Sequence, residues 1–189
     1  MSNNKIAILG LGYVGLPLLQ AFSKFYDVIG FDICTKRIKN LQISCKINNN
    51  SKAKDVVFTS KKSKLSDANI YIITVPTPLN KDNSPDLSKI KSATEIVAQQ
   101  LNKGNIVIYE STVYPGVTEE FCVPILEKIS KLSYNHEFYC GYSPERISPG
   151  DDNFTLTKMI KITSGSTPFV ADFVDDMYKK IIDAGTYKA

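Results

Sequence analysis

The stretch GLGYVG, residues 10–15, constrains this chain more than any other. It follows the short apolar run KIAIL and opens a segment with helical periodicity: Val14, Leu18, Phe22 and Phe25 recur at intervals of three and four, which predicts a helix over 13–24. Pro17 falls within or just after the first turn of that helix. The first N–H groups of a helix have no intrahelical partner, so proline there removes few or no hydrogen bonds. A second apolar run, residues 27–32, ends on Asp32, twenty residues after Gly12. Strand, glycine turn, helix, strand and acidic residue thus come in one fixed order.

The alternation continues along the chain. The pattern predicts a short helix over 35–42 and a strand over 56–60, the latter inside a polar region rich in Asn, Lys and Ser. Residues 69–75 and 104–111 are near-continuous apolar runs, as strands buried on both faces are. Between them lie a loop with three prolines and a helix over 88–101, with Ser88 as its expected cap. A helix is expected over 118–131, then a strand, a strand and a helix from EFYCGYSP, KMIKITSGS and residues 168–183. Such β–α alternation specifies an α/β fold: a Rossmann-like, doubly wound, mostly parallel sheet with helices on both faces. With 189 residues, 43% of them hydrophobic, the chain has material for one domain, and no repeat or linker divides it.

Charge and composition narrow the partners. The formal charge of +4 is spread out, and the run Lys61, Lys62, Lys64 has no interleaved aromatics; it reads as a solvated loop, and no nucleic-acid partner is expected. The four cysteines, Cys34, Cys45, Cys122 and Cys140, form no C-x-x-C pair, and His136 is the only histidine, so no metal site is expected. No apolar stretch reaches the length of a membrane span, and no secretory pattern opens the chain. A reduced cytoplasmic protein with free thiols is expected.

Each element of the glycine turn has a physical reason. Gly10 allows the tight turn, Gly12 lets a pyrophosphate approach the backbone, and Gly15 lets the helix pack on the strand. Leu11, Tyr13 and Val14 complete the turn, whose free N–H groups at the positive end of the helix can hold phosphates. The Asp32 carboxylate can accept hydrogen bonds from both ribose hydroxyls and would repel a 2′-phosphate, so NAD is expected. Arg37 is the one contrary sign, because a nearby arginine can accommodate a 2′-phosphate.

Four motifs then appear in order: GLGYVGLPL, VPTPLN, YESTVYPGVTEE and GYSPERISPGD. Together they resemble the UDP-glucose/GDP-mannose dehydrogenase family, the nucleotide-sugar 6-dehydrogenases. The form SPERISPGD is most similar to the branch acting on UDP-N-acetylhexosamines in bacterial surface polysaccharide synthesis, including capsule and O-antigen. The resemblance implies oxidation of the C6 alcohol of a UDP-sugar to a carboxylate with two NAD. A cysteine captures the aldehyde as a thiohemiacetal, and a thioester is then hydrolysed. It implies that Val75, Pro76 and Thr77 lie beside the cofactor. It places Ser111 and Thr112 near the nicotinamide, with Thr112 helping to position the hydrolytic water. Glu145 would serve in proton transfer or thioester hydrolysis, and with Arg146, Ile147, Ser148 and Pro149 would contact the sugar nucleotide. These segments all follow expected strands, where open α/β sheets bind ligands. The plainer alternatives are a loop threonine between two prolines for Thr77, a hydroxyl bonding local backbone at the turn before the next helix for Thr112, and a surface ion pair for Glu145 with Arg146. UDP-glucose dehydrogenases often carry a second glutamate where this chain has Pro149, which fits the N-acetylhexosamine branch.

Cys122 precedes Val-Pro, an echo of the Gly-x-Cys-Ile-Pro-Val-Asp-Pro segment that holds the family's nucleophile, but lacks the glycines before it and the Val-Asp-Pro after it. It falls on the apolar face of the expected helix, and a buried thiol in apolar surroundings is inert. Cys34 is expected to line the adenosine pocket, Cys45 to lie in a polar loop and Cys140 in a strand. By the resemblance, the central helix, the nucleophile and the second domain are absent from this chain. It is expected to bind NAD without turning over alone, and to form a homo-oligomer when joined to its C-terminal half. UDP-glucose or GDP-mannose is the nearest alternative substrate; a stand-alone NAD-binding module is the alternative outside the enzymes.

Overall fold

A computed structural model describes residues 4–47, 56–145 and 156–189, with backbone only for 45–47. Eight strands form one sheet: β1 (Lys5–Leu9), β2 (Asp27–Phe31), β3 (Val56–Thr59), β4 (Ile70–Ile73), β5 (Asn105–Tyr109), β6 (Phe138–Tyr142), β7 (Lys161–Gly165) and β8 (Thr186–Lys188), in the order β3-β2-β1-β4-β5-β6-β7-β8. The first six are parallel. β7 runs antiparallel to β6, and β8 parallel to β7. The helices are α1 (Gly15–Phe22), α2 (Thr35–Ile47), α3 (Ser88–Ala98), α4 (Val123–Ser130) and α5 (Pro168–Lys179).

The strands sort their side chains by parity. Ala7, Leu9, Ile29, Phe31, Tyr71, Ile73, Val107 and Tyr109 pack on one face with α3 and α4. Ile6, Ile8, Val28, Ile70, Ile72, Ile106 and Ile108 pack on the other with α1 and α5. The central strands are therefore apolar at consecutive positions because both faces are covered. The doubly wound reading holds.

Several local expectations shift. α2 runs to Ile47, well past residue 42. Ser88 does not cap α3; its own N–H donates to Asp86 Oδ1 at 2.8 Å, and Leu87 occupies the cap position. The segment expected as one helix over 118–131 is a π-helical turn, Val117–Cys122, followed by α4. Pro124 accounts for the junction: it stands in the first turn of α4, where its missing N–H costs least. Lys62 and Lys64 lie in a short 3₁₀ helix, Lys62–Asp67, and with Lys61 are exposed, as a solvated segment should be. β8 was not expected at all.

Strand order reverses between β1 and β4, so the loops leaving their carboxyl ends part there and open a crevice. The glycine turn leaves β1 at this point, and residues 74–77 leave β4 beside it.

Candidate dinucleotide and catalytic site

Gly10 turns the chain with φ of 97°, a conformation that glycine adopts without strain, while its N–H extends the ladder to Phe31 O at 2.9 Å. The Thr74 hydroxyl lies 3.0 Å from Leu9 O and 2.7 Å from Gly10 O, pinning the turn to β4. Gly15 packs against that same point: a Cβ there would lie 2.0 Å from Gly10 O and 2.5 Å from Thr74 Oγ1. Above Gly12 there is space, since a Cβ would meet nothing nearer than Arg37 Nη1 at 3.9 Å. One glycine closes the helix onto the strand, and the other leaves a cradle open.

Asp32 follows β2 and is 11% exposed. Its Oδ2 accepts the Leu11 N–H at 3.0 Å and its Oδ1 the Cys34 N–H at 2.9 Å. A carboxylate has about four acceptor positions, so capacity remains for a diol. Arg37 donates to Leu11 O at 2.9 Å and stands 3.8 Å from Asp32 Oδ2. Its guanidinium is thereby engaged with the turn and with a carboxylate that would repel a 2′-phosphate.

A cavity of about 640 Å³ runs past Gly12, Tyr13 and Val14, at the amino end of α1, towards Thr77, Ser111, Thr112, Glu110 and Glu145. A second, of about 340 Å³, adjoins it at Gly10, Asp32, Val75 and Pro76 and has apolar walls from Phe31, Ile33 and Ile96. The pair suits a dinucleotide: apolar walls for a base, a carboxylate for a ribose, an open glycine turn at a helix end for phosphates. NAD fits these residues.

The loops after β4 and β5 are latched together. Ser111 Oγ donates to Val75 O at 2.6 Å, and Thr77 Oγ1 to Thr112 O at 2.7 Å. Both hydroxyls therefore serve backbone contacts, while both residues still line the cavity. Glu145 binds Lys161 at 2.9 Å. The expected substrate contacts Arg146, Ile147, Ser148 and Pro149 lie outside the described residues.

Sequence reasoning missed a buried polar cluster below Glu145. Lys161 Nζ donates to Glu110 Oε2 at 2.5 Å, to Glu145 Oε2 at 2.9 Å and to Pro144 O at 3.1 Å. The Tyr178 hydroxyl donates to Glu110 Oε1. Burial pushes the Glu110 carboxyl up, against the pull of Lys161. Burial also works against the charge on Lys161, but the two carboxylates outweigh it and hold the ammonium above the usual lysine value. The available signal was a lysine inside a strand-like run, KMIKITSGS.

The cysteines sort as follows. Cys122 is fully buried at the start of α4, and burial pushes its thiol up, as it does for Cys140 in β6. Cys34 is exposed, with its N–H on Asp32. Cys45 falls within α2, not in a loop.

Glycine turn, acidic residue at the end of β2 and switch-point crevice define a Rossmann-type dinucleotide-binding domain. The chain belongs to the UDP-glucose/GDP-mannose dehydrogenase family: residues 4–182 match that family's NAD binding domain. It is 52% identical to the UDP-N-acetyl-D-glucosamine 6-dehydrogenase of Salmonella typhi over 98% of this chain and 45% of that protein. It is 45% identical to Protein CapL of Staphylococcus aureus over 99% of this chain and 45% of that protein. Among solved structures, the UDP-D-ManNAc dehydrogenase of Pyrococcus horikoshii superposes with a TM-score of 0.85 at 31% identity, over 97% of this chain and 46% of that one. The chain thus spans about half the length of the curated relatives it matches.

Proposed function

We propose that this chain is the NAD-binding half of a UDP-N-acetylhexosamine 6-dehydrogenase serving bacterial surface polysaccharide synthesis. The observation that carries the reading is the cavity itself, which leads from Asp32 and the glycine turn to Thr112 and Glu145. A cofactor anchored at one end would thus present its reactive end to a hydroxyl and a carboxylate at the other. NAD, when bound, accepts a hydride from the sugar carbon. Asp32 holds the adenosine ribose, the backbone at Gly12 the diphosphate, and Thr77 and Ser111 keep the two loops at a fixed width. Thr112 orients water, and Glu145 takes or gives the proton. Arg146, Ile147, Ser148 and Pro149 contact the sugar nucleotide. The nucleophilic cysteine belongs to the C-terminal half, with which the enzyme is a cytoplasmic homo-oligomer. Buried free thiols at Cys122 and Cys140 suit a reducing compartment. The branch assignment draws support from the relatives at 52% and 48% identity, both UDP-N-acetyl-D-glucosamine 6-dehydrogenases.

Calorimetric titration of this chain with NAD and with NADP tests the cofactor reading; NAD-selective binding is expected, and binding of neither would refute it. For the substrate, the full-length enzyme is assayed side by side with UDP-GlcNAc, UDP-glucose and GDP-mannose. Highest kcat/KM on UDP-GlcNAc is expected, and preference for either other sugar would move the assignment within the family. Sustained NADH production by the 189-residue chain alone would overturn its standing as half an enzyme.

A further inference from the structure

Lys161 is a buried lysine, 5% exposed, at the first position of β7. An ammonium has three protons, and each finds an acceptor here: Glu110 Oε2, Glu145 Oε2 and Pro144 O. The acceptors come from two places. Glu110 follows β5 and is held from behind by the Tyr178 hydroxyl of α5. Pro144 and Glu145 are consecutive residues after β6. Lys161 therefore grips both the backbone and the side chain of the segment that carries Glu145. A further bond, from Glu145 N–H to Glu110 O at 3.2 Å, ties that segment to the same anchor.

Stability alone does not account for this cluster. Desolvating two carboxylates and an ammonium works against folding, and well-packed apolar residues of similar volume commonly stabilise as well or better. β7 already meets β6 through backbone pairing and through Ser143 Oγ on Ile162 O and Ser164 Oγ on Tyr142 O. What an apolar replacement could not do is hold a glutamate carboxylate at a chosen point. Both carboxylates of the cluster line the cavity that Thr112 also lines, whereas Lys161 and Tyr178 lie behind it.

We propose that Lys161 is a positioning residue for Glu145: anchored by Glu110, it fixes the Glu145 carboxylate at the mouth of the cavity, ready for a substrate proton. The inference rests on the reading of Glu145 as the proton-transfer group. Glu110 and Tyr178 are the anchor and touch no reacting atom. The alternative is a purely structural ion cluster, whose loss would harm the enzyme whatever stood at position 145.

The test is steady-state NADH formation from UDP-GlcNAc by the full-length enzyme carrying E145Q, K161M, K161R or K161M with E145Q. Removing a general acid–base group costs about 100-fold or more in kcat, and misplacing one by about an ångström can cost about 100-fold. K161M is expected to lower kcat by about 10- to 100-fold with the KM for NAD within about twofold, and K161R to recover part of the loss. In the E145Q background K161M should add no more than about twofold, because the group it positions is already gone. Multiplicative losses in the double variant, or a kcat unchanged by K161M, would overturn the proposal. K161M leaves the buried Glu110 carboxylate without its cation, so K161M with E110Q, which removes one charge of each sign, is read alongside it. Failure of both to fold would make Lys161 a structural residue and overturn the proposal. Full activity of E145Q would instead remove the proton-transfer reading on which it rests, and that arm is read before Lys161 is changed.

Discussion

Leu11 donates its backbone N–H to Asp32 Oδ2 at 3.0 Å, so the carboxylate that closes β2 also holds the glycine turn leaving β1. Asp32 thus shapes the cradle, and in the proposed function it also reads the ribose. The two roles separate in D32N. Its amide can accept one of the two backbone N–H bonds but must turn an NH₂ towards the other. Hydrogen bonds to a charged group contribute about 1.5–3 kcal/mol, so NAD affinity should fall by about 10- to 100-fold. NADP should lose less, because the charge that repels a 2′-phosphate is gone. Calorimetry with both cofactors checks this, and equal losses would confine Asp32 to shaping the turn.

Gly12 and Gly15 should fail in opposite ways. G15A puts a methyl 2.0 Å from Gly10 O and 2.5 Å from Thr74 Oγ1, where the neighbour is backbone and cannot swing aside. It should destabilise the chain by about 3 kcal/mol, at the upper end of overpacking. G12A meets only Arg37 Nη1 at 3.9 Å and should leave stability within about 0.5 kcal/mol, as surface changes do. Its methyl occupies the cradle, so NAD binding should fall by at least about 10-fold. Urea unfolding and NAD titration of both variants distinguish the roles; normal NAD binding by G12A would put the diphosphate elsewhere.

What the sequence makes legible here is what local chemistry determines. GLGYVG with Asp32 names its turn because only glycine fits at Gly15 and Gly10, and both strand parities of 70–73 are apolar because both faces are covered. The proline at 124 marks a change of helix type, but the π turn before it depends on how 117–122 packs beside α3 in the core. The Lys161 cluster is hidden for a sharper reason. In β7, Lys161 and Thr163 are the buried positions and Ile162 is half-buried, so hydrophobic alternation points to the wrong face. The meaning of Lys161 lies in Glu110 and Glu145, 51 and 16 residues away, and that of the buried Thr163 in Asp175, which receives its hydroxyl at 2.8 Å. β8 escapes notice because three residues carry too little pattern to read.

Thiol chemistry should follow burial rather than motif. Cys122 and Cys140 are buried with thiols pushed up by that burial, whereas Cys34 is exposed. An aromatic disulfide reagent should modify Cys34 in the native chain and reach Cys122 and Cys140 only on unfolding. C122A should keep full NAD affinity and cost about 1 kcal/mol in stability. In the full-length enzyme C122S should retain kcat within about twofold. Loss of turnover in a folded C122S protein would restore Cys122 as a nucleophile.

Alkali should unfold the chain through its buried tyrosines, and Tyr71 is the clearest case. Its hydroxyl stands 3.1 Å from Leu65 O, 3.1 Å from Ala68 O and 3.2 Å from Gln100 O, tying the 3₁₀ helix to the end of α3. Burial, with a smaller contribution from Asp67, pushes its pKa from 10.0 to about 12. The folded chain therefore keeps this proton where the unfolded chain has lost it, and stability falls as pH rises from about 10 to about 12. Lys161 acts in the same direction, since an ammonium held above the usual lysine value also keeps its proton longer when folded. Y71F removes the titrating hydroxyl and leaves those carbonyls without its bond. It should be less stable than the parent by about 1–3 kcal/mol near neutrality and should lose less between pH 10 and 12. Urea unfolding at pH 8 and pH 11 measures both differences. An equal gap at the two pH values would mean that Tyr71 ionises as freely in the folded chain as in the unfolded one.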